Sequence, residues 1–203
     1  MFHMSNDSHL FYTNKELQSE ACELEGNTFR QGDQAFLPLY EAKMIWHFDH
    51  RFGTYENQEG RSNVHLPTPS GAQHSDPSFL AQPWYWVHAN ELDKRIGSTS
   101  AYIAYRKVTG ATNSRTFVCT VLHRVPLGES AWIIVPEEDH YSCLVGNLNA
   151  MVFDYVTRQK LGGFNISFSV LKQLPVVPPN RYTPELLNFI VPRVVELTYT
   201  AWD

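Results

Sequence analysis

The chain of 203 residues is 43% hydrophobic and 18% charged, a composition typical of a folded globular protein. It has no run of about 18 uncharged apolar residues and no basic-then-apolar segment at its start, so we expect a cytoplasmic protein rather than a secreted or membrane protein. The net charge of −5 argues against a free-standing nucleic-acid binder, because phosphate contacts favour a basic surface.

The N-terminal half predicts short elements separated by irregular segments. Residues 1–35 have the pattern of an α/β lead-in, with a helical stretch and a stop at Gly26. Residues 35–52 are rich in aromatic and apolar side chains and predict one or two strands bent at Pro38. Residues 56–80 are polar, hold three prolines and show no periodicity, so we expect a flexible surface loop there.

The C-terminal half predicts longer elements. The segment "PWYWVHANELDKRI" is typical of an aromatic strand followed by a helical turn, and "AYIAYRKV", "RTFVCTVLHRV" and "AWIIV" are further strand candidates. A helix is predicted over 139–160, with a left-handed cap at one of the two glycines that follow. Alternation over 164–170 indicates a half-buried strand, and a final helix over 184–200 is bent at Pro192. The sequence therefore predicts an α+β fold with mixed or antiparallel strands and two main helices.

Basic residues collect in two windows that contain no aspartate or glutamate. The windows run from Lys94 to Gly128 and from Tyr155 to Pro184, whereas residues 1–40 carry two cations against six acids. Such windows can form a basic face on an otherwise acidic body, although chance clustering and the favourable position of cations at a helix C-terminus are simpler explanations. The cations of the two windows are Lys94, Arg95, Arg106, Lys107, Arg115, Arg124, Arg158, Lys160, Lys172 and Arg181.

The polar side chains between these cations are of the types that contact phosphates and base edges in protein–DNA complexes. The first window contains "RKVTGATNSRT", and in the second window "TRQK" closes the predicted helix. A double glycine at 162–163 allows the backbone to turn sharply and to approach a partner closely. On this pattern Lys107 and Gln159 are candidate DNA contacts.

No catalytic motif accompanies these residues. The chain has no glycine-rich nucleotide loop and no nucleophile elbow, and Cys22, Cys119 and Cys143 are too few and too scattered for a disulfide framework or a zinc site. In "HFDHR", at most two side chains would share one face of a strand, which is too few for a metal site. We therefore expect reduced core thiols, no metal and no catalytic residue.

Two alternatives to nucleic-acid recognition stay open. Glu41 and Lys43, two apart on a predicted strand, point the same way, as half of a metal-dependent nuclease core requires, and Asp33 is the nearest second carboxylate for a shared Mg²⁺. The simpler interpretation of Glu41 and Lys43 is a cross-strand or substrate-holding pair. The other alternative is a protein-interaction scaffold, for which the aromatic segment "PWYWV" would supply binding hot spots.

Three segments keep the order seen in one protein family: "LPLYEAKMIWHFDHRFGTY", "AYRKVTGATNSRTFVCTVLHRVP" and "LNAMVFDYVTRQKLGGFNISFSVLKQLPVVPP". They closely resemble the C-terminal target-recognition region of bacterial restriction-modification N6-adenine DNA methyltransferases, including fused type IIG-like enzymes with a TaqI-like specificity domain. The likeness extends to "MSNDSHLF" near the start and to "PRVVELTYTAWD" at the end. It implies that residues 1–203 are a target-recognition domain fragment of a longer parent protein.

The resemblance also implies an upstream methyltransferase domain that uses S-adenosylmethionine as the parent's cofactor. The Asn-Pro-Pro-Tyr catalytic loop of that domain does not occur in this chain, where Pro178 and Pro179 precede Asn180 in the wrong order. Catalysis is therefore not carried over, and no cofactor is expected in the fragment. The implied partners are double-stranded DNA, held so that an adenine can be flipped out, and the missing upstream domain, against which residues 1–35 would pack.

DNA engagement is carried over at positions that match the family's three blocks. These positions are Lys43 and Arg51 in the first block, Arg106, Asn113, Arg115 and Thr116 in the second, and Arg158, Lys160, Lys172 and Gln173 in the third. The resemblance thus predicts a DNA sequence-recognition domain of a restriction-modification methyltransferase. It would position duplex DNA for adenine N6 methylation by the missing domain.

Overall fold

Two antiparallel sheets organise the computed structural model, which describes residues 1–61, 65–97, 99–136 and 141–202. The strands are β1 (Tyr12–Thr13), β2 (Glu23–Glu25), β3 (Thr28–Gln31), β4 (Gln34–Pro38), β5 (Tyr85–His88), β6 (Ala101–Arg106), β7 (Cys119–His123) and β8 (Ala131–Ile134). The first sheet has the order β1-β5-β4-β3-β2, and the second has the order β7-β6-β8.

Helices pack on both sheets and complete the α+β fold that the sequence predicts. They are α1 (Asn14–Ser19), α2 (Gly71–Ser75), α3 (Ala89–Ile96), α4 (Tyr141–Leu148), α5 (Met151–Lys160), α6 (Phe168–Leu171) and α7 (Pro184–Thr198), with short 3₁₀ turns at Ser8–Leu10, Ala42–Met44 and Pro179–Arg181. Within the described ranges, no helix combines the length and the apolar composition needed to cross a membrane.

Strand β6 is the centre of the second sheet and is buried on both faces. Successive side chains of a strand point to opposite faces, so Tyr102 and Ala104 pack in one apolar cluster and Ile103 and Tyr105 in another. The second cluster also includes side chains of α4, α5 and α7. The uninterrupted apolar run of β6 therefore holds a helical layer against the outer face of this sheet.

The first 35 residues form part of the first sheet. Leu17 from α1, Phe29 from β3 and Trp86 from β5 share one buried cluster, while Phe2 and Val87 share another. Helix α1 begins at a capping box, which satisfies backbone groups at its first turn. The predicted combination of helix and strand in the lead-in is confirmed, and Phe29 of β3 contributes directly to the core of the described chain. The predicted stop at Gly26 is wrong, because α1 ends at Ser19 and β2 follows it.

Most predicted elements after residue 84 are confirmed. Strand β5, helix α3 and strands β6 to β8 lie within the segments that the sequence indicates, and α7 covers most of the final predicted helix with Pro192 inside it.

In the predicted loop over 56–80, α2 is the only helix among the described residues, and its start is fixed by a capping box between Ser70 and Gln73. The cysteines are free and buried.

The prediction of one helix over 139–160 is wrong for the part that the structure describes, which excludes 139 and 140. Helix α4 ends at Leu148 and α5 begins after Ala150, which is extended (φ −65°, ψ 145°). Asn149 at the break is buried, and its side-chain amide donates to the carbonyl of Cys119 at 3.1 Å and accepts from the Cys119 N–H at 3.4 Å. The helix is interrupted there because Asn149 satisfies the edge of strand β7.

The predicted strand over 164–170 is also wrong. Leu161 ends α5 in an extended conformation, so neither of the two glycines that follow is a left-handed cap. Ser167 starts α6 instead, because its hydroxyl accepts the backbone N–H of Val170 at 3.4 Å. A local cap therefore outweighs the alternating pattern of polar and apolar residues.

The aromatic segment 35–52 is mostly irregular beyond the end of β4. Glu41 immediately precedes the Ala42–Met44 turn, and neither the pair of Glu41 and Lys43 nor "HFDHR" lies on a strand. The strand alternation that suggested which of these side chains share a face therefore does not apply. Phe48 has a positive φ of 59°, which is unusual for a bulky residue and indicates a constrained loop.

Candidate nucleic-acid interface

The structure brings parts of the two acid-free windows together. The N–H of Thr109 donates to the carbonyl of Phe164 at 2.9 Å, and the N–H of Ile166 donates to the carbonyl of Lys107 at 2.9 Å. Between them, Val108 and Asn165 form an isolated antiparallel bridge. We call residues 107–116 and 155–173 the joint surface, because backbone hydrogen bonds fix these two segments side by side.

Asp154 fixes the turn of the joint surface to helix α5. Its buried carboxylate accepts from the backbone N–H groups of Thr116 and Phe117 at 2.7 and 2.8 Å. The hydroxyl of Thr109 donates to the carbonyl of Thr116 at 2.7 Å and closes the turn on itself. Hydrogen bonds to an ionised carboxylate are stronger than neutral ones, so the turn is held rigidly against the helix.

Arg158 is a second link between the helix and the turn. Its Nη2 donates to the carbonyls of Asn113 and Ser114 at 3.0 and 3.3 Å and lies 3.3 Å from a carboxylate oxygen of Asp154. The Arg158 side chain remains one-third exposed, and the side chain of Asn113 is exposed beside it. A guanidinium has five N–H donors, so Arg158 retains donors for a partner.

The second segment presents exposed cations and amides at the end of α5. Lys160 Nζ lies 3.5 Å from Gln173 Oε1, and Gln173 Nε2 donates to the carbonyl of Ser169 at 2.8 Å. Gln159 and Lys172 are exposed as well. Within the part of the chain that the structure describes, Lys160 and Lys172 form no ion pair, so both charges are available to an anionic ligand.

Arg115 adds a further cation to the joint surface. It lies near His47, which the sequence suggested only as part of a metal site that was rejected. Arg115 is partly exposed and pairs with no carboxylate among the described residues. Burial lowers the pKa of His47, and the positive charge of Arg115 lowers it further, against weaker opposing effects of Asn149 and Asp154. His47 is therefore mainly neutral near pH 7 and belongs to the same neighbourhood as the turn.

Arg106 and Lys107 are present at the edge of this region but have partners within the chain. Arg106 donates to the carbonyl of Ile45 from Nε and Nη2, at 3.0 and 2.6 Å, and its guanidinium lies 4.6 Å from the ring centroid of Trp46. Burial lowers the pKa of Arg106 to about 10. Lys107 Nζ lies 2.9 Å from the carboxylate of Glu129. Both residues help to hold the interface in place.

Two of the predicted DNA contacts are wrong for this structure, and a third is recessed. Arg51 is 0% exposed, and its guanidinium donates to main-chain carbonyls rather than facing solvent. Thr116 is equally buried, and its contribution is the backbone N–H bound by Asp154. Lys43 is mostly buried 3.5 Å from Glu41, and burial lowers the pKa of its ammonium group. The remaining predicted residues include those that are exposed on the joint surface, namely Asn113, Gln159, Lys160, Lys172 and Gln173.

Glu41, which the nuclease alternative assigns to metal binding, already accepts hydrogen bonds from neighbouring side chains. Buried Glu41 accepts from the Tyr55 hydroxyl at 2.9 Å and from Arg61 Nη2 at 3.0 Å, and Lys43 Nζ lies 3.5 Å away. Burial raises the pKa of Tyr55, and the charge of Glu41 raises it further, so the hydroxyl remains a donor. Asp33 is exposed in the turn between β3 and β4. Among the described residues, no three His, Cys, Asp or Glu side chains are grouped to hold a metal ion.

Exposed aromatic rings are a feature of the joint surface that sequence reasoning did not single out. Tyr155 on α5, Phe164 in the connecting loop and Phe168 on α6 are 65%, 76% and 55% exposed. The signal was present in the sequence as aromatic residues inside an acid-free window. The predicted strand and the predicted helix stripe would have buried these side chains.

Comparison with protein-family models, with curated proteins and with solved structures finds no match to this chain. Inferences about its function therefore depend on two things. One is the geometry of the joint surface, and the other is the resemblance of the three quoted segments.

Proposed function

We propose that this chain is the DNA sequence-recognition domain of a restriction-modification DNA methyltransferase, and that the joint surface contacts duplex DNA. The observation that supports the proposal most strongly is the juxtaposition of two segments without aspartate or glutamate, which are far apart in sequence. Arg115, Lys160 and Lys172 add three positive charges that no described carboxylate neutralises. The resemblance of the same segments to a target-recognition region supports it independently.

The chemistry of the surface fits a duplex. Lysine and arginine side chains neutralise phosphates, and this electrostatic attraction provides much of the affinity for DNA. The exposed amides of Asn113, Gln159 and Gln173 can donate to and accept from base edges in the major groove. Asp154 and Arg158 hold these groups in a fixed spacing, which is what reading several neighbouring base pairs requires.

The proposal includes a parent protein with an upstream methyltransferase domain. That domain would bind S-adenosylmethionine and transfer its methyl group to the N6 atom of an adenine flipped out of the helix. The chain described above would supply orientation and sequence selection. The net charge of −5, with six acids against two cations in the first 40 residues, would keep DNA away from the rest of this domain.

A salt titration tests the proposal. We expect the binding of a labelled mixed-sequence duplex, followed by fluorescence anisotropy, to weaken steeply between about 50 and 200 mM salt, because bound cations release counterions from the phosphates. Arg115→Ala and Arg158→Ala should each weaken binding, and removing one cation from a phosphate should flatten the slope of log affinity against log salt by about 0.9. Arg30→Ala is the matched control, because Arg30 is similarly charged but pairs with Glu25 in the first sheet.

The outcomes separate the candidates. Salt-independent binding, or an equal effect of Arg30→Ala, would contradict recognition by the joint surface. Strand cleavage on a denaturing gel when Mg²⁺ is added would favour the nuclease built on Glu41 instead. Steep salt dependence with intact strands, and weakening confined to the joint-surface variants, is the result that we expect.

A second candidate is a protein-interaction module. Helix α7 exposes large apolar side chains, including Leu186, Phe189 and Leu197, at 44%, 57% and 54%. Exposed apolar groups of this size on one element are typical of surfaces that bind other proteins. No DNA binding at low salt, together with self-association in sedimentation velocity that Phe189→Ala abolishes, would favour this candidate.

A further inference from the structure

We infer that the joint surface binds unpaired nucleotides, whose bases stack on Phe164 and Phe168, in addition to duplex DNA. The inference rests on the proposed function, since it assigns a further ligand to the same surface. Bases are unpaired wherever a nucleotide is extruded from a duplex or one strand is missing. The two phenylalanines would hold such bases while the neighbouring cations hold their phosphates.

The first argument is the exposure of the rings. Phe164 and Phe168 are 76% and 55% exposed, and Tyr155, which precedes them in the chain, is 65% exposed. Phenylalanine is among the residues most often buried, so three large aromatic side chains presented to solvent in one surface indicate a ligand. All three lie in the window from Tyr155 to Pro184 that has no acidic residue.

The second argument is that the ring of Phe168 and the backbone of Phe164 are held in place before any ligand binds. The ring of Phe168 stacks on Trp132, with centroids 4.3 Å apart and an angle of 28° between the planes. Lys107 Nζ lies 4.8 Å from the centroid of the same Trp132 ring. The carbonyl of Phe164 accepts the N–H of Thr109, which fixes its backbone. Little conformational entropy of the Phe168 ring therefore remains to be lost when a base stacks on it.

The third argument is that aromatic rings and positive charges are interspersed along one segment. Between Tyr155 and Lys172 the chain presents, in order, Tyr155, Arg158, Lys160, Phe164, Phe168 and Lys172. Proteins that bind single strands combine aromatic side chains, on which bases stack, with cations that follow the phosphate backbone. A paired duplex hides the faces of its bases, so it would leave these rings unused. An apolar protein partner would bury the rings but would also desolvate the unpaired ammonium groups of Lys160 and Lys172.

The experiment compares a labelled single-stranded oligonucleotide with a duplex of the same sequence. We expect Phe164→Ala and Phe168→Ala to weaken single-strand binding about tenfold each, while duplex binding changes less than about twofold. Phe164→Leu keeps an apolar side chain without a ring face and should behave like Phe164→Ala. Phe189→Ala removes an equally exposed phenylalanine from α7 and is the control.

Each possible result either supports or overturns the stacking of unpaired bases on Phe164 and Phe168. Single-strand binding that the Phe164 and Phe168 variants leave unchanged overturns the inference, as does an equal weakening of duplex and single-strand binding. Duplex binding without any single-strand binding overturns the inference and leaves the proposed function standing. If the wild-type chain binds neither ligand, both fail together, and the exposed rings belong to a protein interface.

Discussion

Replacing Arg51 by lysine distinguishes a structural role from a DNA-binding role for this residue. The Arg51 guanidinium donates to the carbonyls of His74, Asp76 and Phe79, at 2.8 to 3.1 Å, and also to the carbonyl of Thr200. It therefore ties the end of α2, the segment that follows it and the backbone of Thr200 to one buried point. A lysine keeps the positive charge but has one nitrogen where arginine has two engaged.

The magnitude follows from the number of hydrogen bonds that the lysine cannot make. A net contribution of about 1.5–3 kcal/mol for a hydrogen bond to a charged group, with one or two of the four bonds removed, predicts that Arg51→Lys lowers the free energy of unfolding by about 3 kcal/mol. With a urea dependence of about 2 kcal/mol/M, the midpoint of unfolding falls by about 1.5 M. Arg181→Lys, at an exposed position, is the control and should move the midpoint very little.

Urea denaturation followed by tryptophan fluorescence measures both variants. A DNA-binding role makes the opposite prediction, since a lysine beside a phosphate would keep most of the attraction and leave stability unchanged. If Arg51→Lys unfolds at the same urea concentration as the wild type, the assignment of Arg51 to the interior is refuted.

Two further predictions concern carboxylates. Asp154→Asn should lower the free energy of unfolding by about 1–3 kcal/mol, because the backbone N–H groups of Thr116 and Phe117 lose a charged acceptor, and hydrogen exchange at those two amides should accelerate; unchanged exchange would contradict the anchoring role. The hydrogen bond from Arg95 lowers the pKa of Asp7 from 3.8 to about 2, so its stabilisation is complete above pH 3.8 and is lost as the pH falls toward 2. Asp7→Asn should therefore destabilise the protein near neutral pH and flatten its acid unfolding curve in that range, and an unaltered curve would contradict the pairing.

The elements that could be predicted from the sequence are those whose signal is local. The apolar run of β6 and the strand and helix around residue 88 are encoded in short patterns that each lie within one segment, although β5 pairs with β1 and β4 from much earlier in the chain. Asn149 and Ser167 show why the other elements could not be predicted. Asn149 interrupts a helical stripe to bond with Cys119, thirty residues away, and Ser167 starts a short helix inside an alternating pattern.

The candidate site was only partly predictable for a related reason. Charge windows are visible in a sequence, and so are the types of side chain that bind DNA. Whether a cation is free or occupied depends on carbonyl groups and carboxylates that the fold brings from elsewhere. Arg51 and Arg158 are the same residue type, so the sequence does not distinguish them. Arg51 is surrounded by carbonyls from distant segments, whereas Arg158 is one-third exposed.

Asp154 and Arg158 fix the backbone of the joint surface without involving the side chains that this surface displays. Asp154 binds backbone N–H groups, and Arg158 binds backbone carbonyls, so neither depends on which side chains occupy 112–115. Substitutions at Asn113 or Gln159 can therefore change the chemistry of the surface without changing its geometry. Substitutions of this kind can accumulate one residue at a time and change which ligands the surface binds, while the domain continues to fold.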